Sequence, residues 1–99
     1  MYARVVRHED GDPEVMRSEA ARLNEQMSDA PPEGVPAKAF LLLMDPDGGR
    51  SLAINLFETE EDRQRGHEVL EGMSPGGGYG GRVSVEMYEV GADLQWERR

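Results

Sequence analysis

The chain holds two histidines, and they are its only side chains that titrate near neutrality without help from their surroundings. His67 shares a helix face with Arg63, Leu70 and Glu71, at the i±3 and i±4 positions. An imidazole there could take a proton from a phenol or an enol and deliver it elsewhere. The competing reading is a half-exposed helix histidine paired with Glu71 or another carboxylate. His8 closes the first expected strand beside Glu9 and Asp10, where it is either a pocket base or a solvated strand end. Tyr79 stands in a glycine run at 76–81, as the tip of a flap over a pocket or as part of a plain connection. Arg4, Asn55, Phe57, Glu86 and Tyr88 fall on one expected sheet face, with Arg4 and Glu86 paired across neighbouring strands. That face would line a polar ligand cavity or form a hydrogen-bonded interface. Asn55, Tyr79 or Arg82 would supply the donors for a developing oxyanion.

Several other chemistries are excluded by composition and spacing. The absence of cysteine removes disulfides, thiolate metal sites and thiol nucleophiles together. No Asp or Glu stands where it would complete a metal site with His8 or His67, so no metal is expected. The run Asp45-Pro-Asp-Gly opens like a calcium loop, but the loop pattern needs Asp or Asn at its fifth position and Glu at its twelfth. Those positions hold Gly49 and Leu56, so the run is a turn. The glycines at 76–81 follow a helix and precede a strand, the reverse of a phosphate cradle. Eleven Lys and Arg against twenty Asp and Glu leave a net charge of −9 over 99 residues. So acidic a chain cannot neutralise a run of phosphates or dock on an anionic bilayer, which excludes nucleic acid and membrane as partners. The longest apolar run, at 39–44, is far too short to span a bilayer, and the first residues lack the apolar stretch of an export signal. A cytoplasmic location is the expectation.

The elements that must position these residues follow from periodicity and caps. Strands are expected at 2–8, 37–44, 50–57 and 82–90. Asp12 followed by Pro13 marks a helix start, and Met16, Ala20, Leu23 and Met27 make one stripe along it. The prolines at 31, 32 and 36 end it. Thr59 caps a second helix with Asp62 as its reciprocal partner, and Gly66, Val69, Leu70 and Met73 form the buried side. The order β-α-β-β-α-β is that of a ferredoxin-like α+β fold, with an antiparallel sheet in the order 4-1-3-2 and both helices on one face. Residues 1–90 form the domain and 91–99 a tail bearing Trp96. Ala3, Val5, Leu52, Ile54, Leu56, Val83, Val85 and Met87 are expected under the helices. Tyr2, Arg4, Val6, His8, Ala53, Asn55, Phe57, Ser84, Glu86 and Tyr88 are left for the other face, which a second sheet would cover.

With the opening Tyr2-Ala-Arg-Val-Val-Arg, the helix start Asp12-Pro-Glu, the centre Ala39-Phe-Leu-Leu-Leu-Met-Asp45, the run Ser51-Leu-Ala-Ile-Asn-Leu-Phe-Glu-Thr-Glu-Glu-Asp62 and the closing Val83-Ser-Val-Glu-Met-Tyr-Glu-Val90, the chain resembles the dimeric α/β-barrel superfamily. It is most similar to the antibiotic-biosynthesis-monooxygenase-like branch. The third-strand motif of that branch usually ends in Trp, where this chain has Phe57. The resemblance implies a homodimer whose two sheets close a barrel, and a hydrophobic, aromatic or polyketide-like small molecule as partner. Members include oxygenases that use no cofactor, isomerases, haem-degrading enzymes and proteins without known activity. The haem-degrading members need an Asn on the first strand and a helix histidine ligand. This chain has Arg4 and Arg7 on the strand, and His67 comes too soon after Phe57, so no cofactor is expected. Two functions stand side by side. One is cofactor-independent oxygenation or isomerisation, with His67 and Tyr79 catalytic and Asn55, Phe57, Tyr88, Arg4 and Arg82 binding the ligand. The other is a non-catalytic, ligand-sensing or structural barrel.

Overall fold

A computed structural model describes residues 1–27, 30–73 and 80–96. Its elements are β1 (Tyr2–Glu9), α1 (Pro13–Gln26), β2 (Ala39–Asp45), β3 (Arg50–Phe57), α2 (Glu60–Glu71) and β4 (Gly81–Glu89). The four strands form one antiparallel sheet in the order β2-β3-β1-β4, which is the expected 4-1-3-2 read from the other edge. The fold is therefore ferredoxin-like in order and topology. No helix among the described residues is long and apolar enough to cross a membrane.

Local chemistry accounts for the element boundaries. The Asp12 carboxylate accepts the Val15 amide at 3.0 Å and Pro13 occupies the first helical position, so α1 begins where an unpaired amide would otherwise be left. The Thr59 hydroxyl accepts the Asp62 amide at 3.0 Å and starts α2. Asp62 itself turns to Arg65 at 3.8 Å instead of reaching back to the cap. Three acidic residues in the first turn of α2 sit at the positive end of its dipole. β2 begins at Ala39, two residues later than expected, although the Lys38 amide already donates to the Leu56 carbonyl at 2.7 Å. Gly49 closes the β2–β3 turn at φ +70, and its carbonyl accepts the Gly11 amide at 2.8 Å, tying the turn to the start of α1.

The sheet faces are the reverse of the expectation for β1 and β3. The helices cover the side that carries Arg4, Val6, Ala53, Asn55 and Phe57. Phe57 is fully buried beneath α2, where Gly66 lets the helix backbone close on the ring: a Cβ at Gly66 would lie 2.5 Å from Phe57 Cε1. The second correction concerns β4. Val6 faces Val85 and Arg4 faces Met87, so Val85 and Met87 lie on the helix side of the sheet, with the Arg4 side of β1 and not the Val5 side, and Met87 stays 38% exposed there. Glu86 and Tyr88 lie opposite Val5 and Ala3, on the other face. The register also shifts between Arg7 and His8, which returns Arg82 to the helix side. Both faces of β1 and β3 carry enough apolar residues to be buried. Alternation groups the residues of β1 and β3 correctly, but the fit of one ring against one helix glycine decides which group goes inside.

The covered core consists of Val6, Met16, Val35 and Phe57, with small Ala3 buried within the sheet. Of the α1 stripe, Met16 is buried, Ala20 and Leu23 are half-buried and Met27 is exposed. The uncovered face carries Val5, Leu41, Leu43, Leu52, Ile54, Leu56 and Tyr88. Leu41 and Leu43 are half exposed there, at 52% and 49%. Trp96 in the tail is 82% exposed.

Candidate functional site

A cavity of about 430 Å³ opens between the sheet and the C-terminal part of α1. Its origin lies in the helix end. α1 is anchored on the sheet by Met16 near its start, and Pro31 and Pro32 then force the chain across the sheet end toward β2. The space left between the helix and β2 is walled by Leu23, Met27, Pro31, Pro32, Phe40 and Leu70. Asn55 forms part of the lining and Lys38 stands with it, two positions from Phe40 on β2. Asn55 is only 8% exposed, yet its side-chain amide takes part in no hydrogen bond among the described residues. Leaving such a group unpaired in a closed interior costs about 1–3 kcal/mol. Here its polar atoms keep contact with the open space. Phe40 is the cross-strand neighbour of Asn55, so an aromatic face and an amide stand side by side.

A polar cluster lies beside this cavity, where α2 meets β1 and β4. Arg4, with a side chain only 5% exposed, donates from Nε to His67 Nδ1 at 3.0 Å and from Nη2 to Glu71 Oε1 at 2.9 Å. Arg82 donates to the same oxygen at 2.8 Å. Burial pulls the Arg4 guanidinium below its ordinary value, and the Glu71 carboxylate works against that pull. The Arg82 hydrogen bond holds Glu71 below the usual carboxylate range, with Arg4 adding to it and desolvation opposing. The two arginines thus share one carboxylate, and His67 serves as acceptor for the buried one. Accepting at Nδ1 requires a bare nitrogen there, so His67 in this arrangement carries its ring proton on Nε2.

A second cluster occupies the uncovered face at the β4 edge. Glu86 accepts from Arg7 Nε at 3.3 Å, from Ser84 Oγ at 2.9 Å and from the Tyr88 hydroxyl. These bonds, that from Tyr88 foremost, hold the Glu86 carboxyl low, and the same carboxylate pushes the Tyr88 phenol up. Tyr2 lies under the Arg63 guanidinium at 5.2 Å, and Arg63 also donates to the Tyr88 carbonyl at 2.9 Å.

The residues singled out in the sequence are therefore divided among three places. Asn55 lines the cavity. Arg4, His67 and Arg82 stand together in the α2 cluster, with Arg4 directly across from Asn55 on the neighbouring strand. Tyr88 is on the opposite face, so the expected pairing of Arg4 with Glu86 is replaced by Arg4 with Glu71 and Arg7 with Glu86. Phe57 is core beneath Gly66 and contributes no surface to the cavity. Tyr79 and the flap expected around it lie outside the described residues. His8 faces Ser51 across β1 and β3, and burial first, then the Arg82 charge, pushes its imidazole down. Ser51 Oγ is buried without a hydrogen-bond partner among the described residues, away from the cavity lining.

Sequence reasoning missed Lys38, Phe40, Leu23 and Leu70 as cavity residues. Their only signal was the proline-bounded crossing between α1 and β2. Glu71 was legible as an i+4 partner of His67, but not as the carboxylate of two arginines. Among the described residues no group of three His, Asp or Glu is placed to hold a metal ion. Compared with known proteins, the chain matches no family model and no curated relative.

Proposed function

We propose that this protein is a homodimeric binder of a small molecule with an apolar body, taken into the cavity between sheet and helices. The observation that carries the reading is Asn55, nine-tenths buried, without a side-chain hydrogen bond among the described residues, and lining an open space of about 430 Å³ with apolar walls. That volume falls within the usual range for small-molecule sites, about 300–1,000 Å³, and such sites pair mostly apolar walls with a few placed polar groups. The antibiotic-biosynthesis-monooxygenase-like resemblance agrees with a site of this type. Turnover by proton abstraction needs a base beside the ligand. Among the described residues of the lining, Lys38 is the sole titratable group, and His67 is engaged with Arg4. This favours binding without turnover over oxygenation. The test is calorimetric titration of the purified chain with 2-naphthol, beside an Asn55→Leu variant. Saturable binding weakened about tenfold by the substitution is expected, the loss of one hydrogen bond. Equal affinity in both proteins would overturn the reading.

The uncovered face supports the homodimer. Four strands at about 4.8 Å spacing and eight residues at about 3.3 Å rise give roughly 500 Å² in projection. Two such faces approach the roughly 1,000 Å² that a specific interface needs. Leu41, Leu43 and Ile54 would form its apolar centre. Glu86, already bonded to Arg7, Ser84 and Tyr88, enters such an interface with its oxygens satisfied. Sedimentation velocity at micromolar concentration should give a dimer, and Leu43→Glu a folded monomer. A monomeric wild-type chain would refute the assembly.

A further inference from the structure

We propose that the ligand of this cavity is a monoanion: a flat aromatic body whose acid group meets Lys38 and whose far end carries a hydroxyl or carbonyl bonded to Asn55. The inference rests on the cavity being a ligand site and adds the chemical class of its occupant.

Three observations converge. Lys38 carries the sole formal charge among the described residues of the lining. The Lys38 amide donates to the Leu56 carbonyl just ahead of β2, and Lys38 enters the same lining as Phe40 and Asn55. Phe40, the cross-strand neighbour of Asn55, adds a ring face on which an aromatic body can stack. Finally, Asn55 is nearly buried and its side-chain amide takes part in no hydrogen bond among the described residues, so a ligand hydroxyl or carbonyl would give it a partner.

Two opposing terms are small. Lys38 is paired with Glu58 at 3.4 Å, but both side chains are more than half exposed, and such pairs contribute little. The net charge of −9 repels an anion from afar. At physiological ionic strength the screening length is about 8 Å, so at the site the near field of Lys38 decides.

The experiment titrates the full chain with 6-hydroxy-2-naphthoate, 2-naphthoate and 2-naphthol, followed by calorimetry and by amide chemical shifts. The doubly substituted probe should bind tightest, with each single deletion weakening it about tenfold. Lys38→Met should abolish the advantage of the carboxylates and leave 2-naphthol unchanged, and Lys38→Glu should invert the preference. Lys38 is exposed, so these variants keep the fold, which their unchanged amide spectra away from the site would show. If 2-naphthol binds as tightly as 6-hydroxy-2-naphthoate and Lys38→Met changes nothing, the anion assignment fails while the cavity stands as a ligand site. If none of the three binds at millimolar concentration, both readings fail.

Discussion

Gly66→Ala provides the sharpest test of how α2 is seated. At an open helical position this change is stabilising by about 0.8–1.0 kcal/mol, because alanine loses less backbone entropy. At Gly66 the added methyl would lie 2.5 Å from Phe57 Cε1 and 2.7 Å from Cζ, against an ordinary carbon–carbon contact of about 3.5–4.0 Å. About 1 Å must be recovered. The Phe57 ring is fully buried, so it has no solvent to retreat into. Lifting α2 by that amount would stretch the Arg4 bonds to His67 and Glu71, now 3.0 and 2.9 Å, beyond hydrogen-bond range. Overpacking costs about 1–3 kcal/mol and a weakened charged hydrogen bond about 1 kcal/mol more, so the net loss is about 2 kcal/mol after the helix gain. For a domain of this size that is a fall in Tm of about 8–16 °C. Thermal and urea melts followed by far-ultraviolet circular dichroism, at one protein concentration because association contributes, would read it. Phe57→Leu in the same background should recover part of the loss, giving a coupling of about 1 kcal/mol in the double-mutant cycle. Gly72→Ala is the control, since its added methyl meets Val69 O at an ordinary 3.5 Å. A Gly66→Ala variant more stable than the wild type, additive with Phe57→Leu, would refute the close approach.

Glu71→Gln should lower the urea midpoint more than Arg4→Met, because it leaves a buried guanidinium without its anion, whereas Arg4→Met removes the buried charge and keeps its volume. The reverse order would show that Arg4 contributes by packing alone. Acidification should destabilise the fold in two stages. His8 is held below its ordinary 6.5, so the unfolded chain takes up that proton first and stability falls as pH drops from 6.5 through the folded value. Glu71 and Glu86 are held below their ordinary 4.5, so their contribution is complete above 4.5 and is lost as pH falls below it. Urea midpoints across this range would show both limbs, and His8→Asn should flatten the upper one; a wild-type profile level between about pH 7 and 5 would contradict the His8 assignment. Tyr88→Phe should move the Glu86 carboxyl toward its ordinary value in a carbon-detected titration, and an unmoved titration would place the phenol elsewhere.

Topology was readable because each boundary has a local cause: Asp12 with Pro13, Thr59 ahead of an acidic turn, glycines between β2 and β3. The facing of the sheet was not, and the reason lies in β1 and β3. Val5 and Ile54 are as apolar as Val6 and Ala53, so hydropathy cannot choose between the two sides. The deciding feature was a glycine within a helix, Gly66, poised over an aromatic residue 9 positions earlier in the chain. That pairing is visible in the residues once close backbone approach is considered. The cavity was harder. Asn55 was named for its amide, but Leu23, Phe40 and Leu70 come together only after α1 has been anchored at Met16 and the proline crossing has returned the chain to β2. Arg4 was grouped correctly with Asn55 on one face, and its partner was missed because the helix lies on the side not expected.

The strand order leaves β2 at one margin of the sheet, and β2 contains the run Ala39-Phe-Leu-Leu-Leu-Met44. Half of its backbone amides and carbonyls therefore look outward with no ladder beyond them, on a segment rich enough in leucine to template growth by a further chain. The run is bracketed by Lys38 and Asp45, opposite charges at its two ends. Those residues act as gatekeepers, discouraging lengthening of the sheet sideways into a fibril while leaving stacking across its face open.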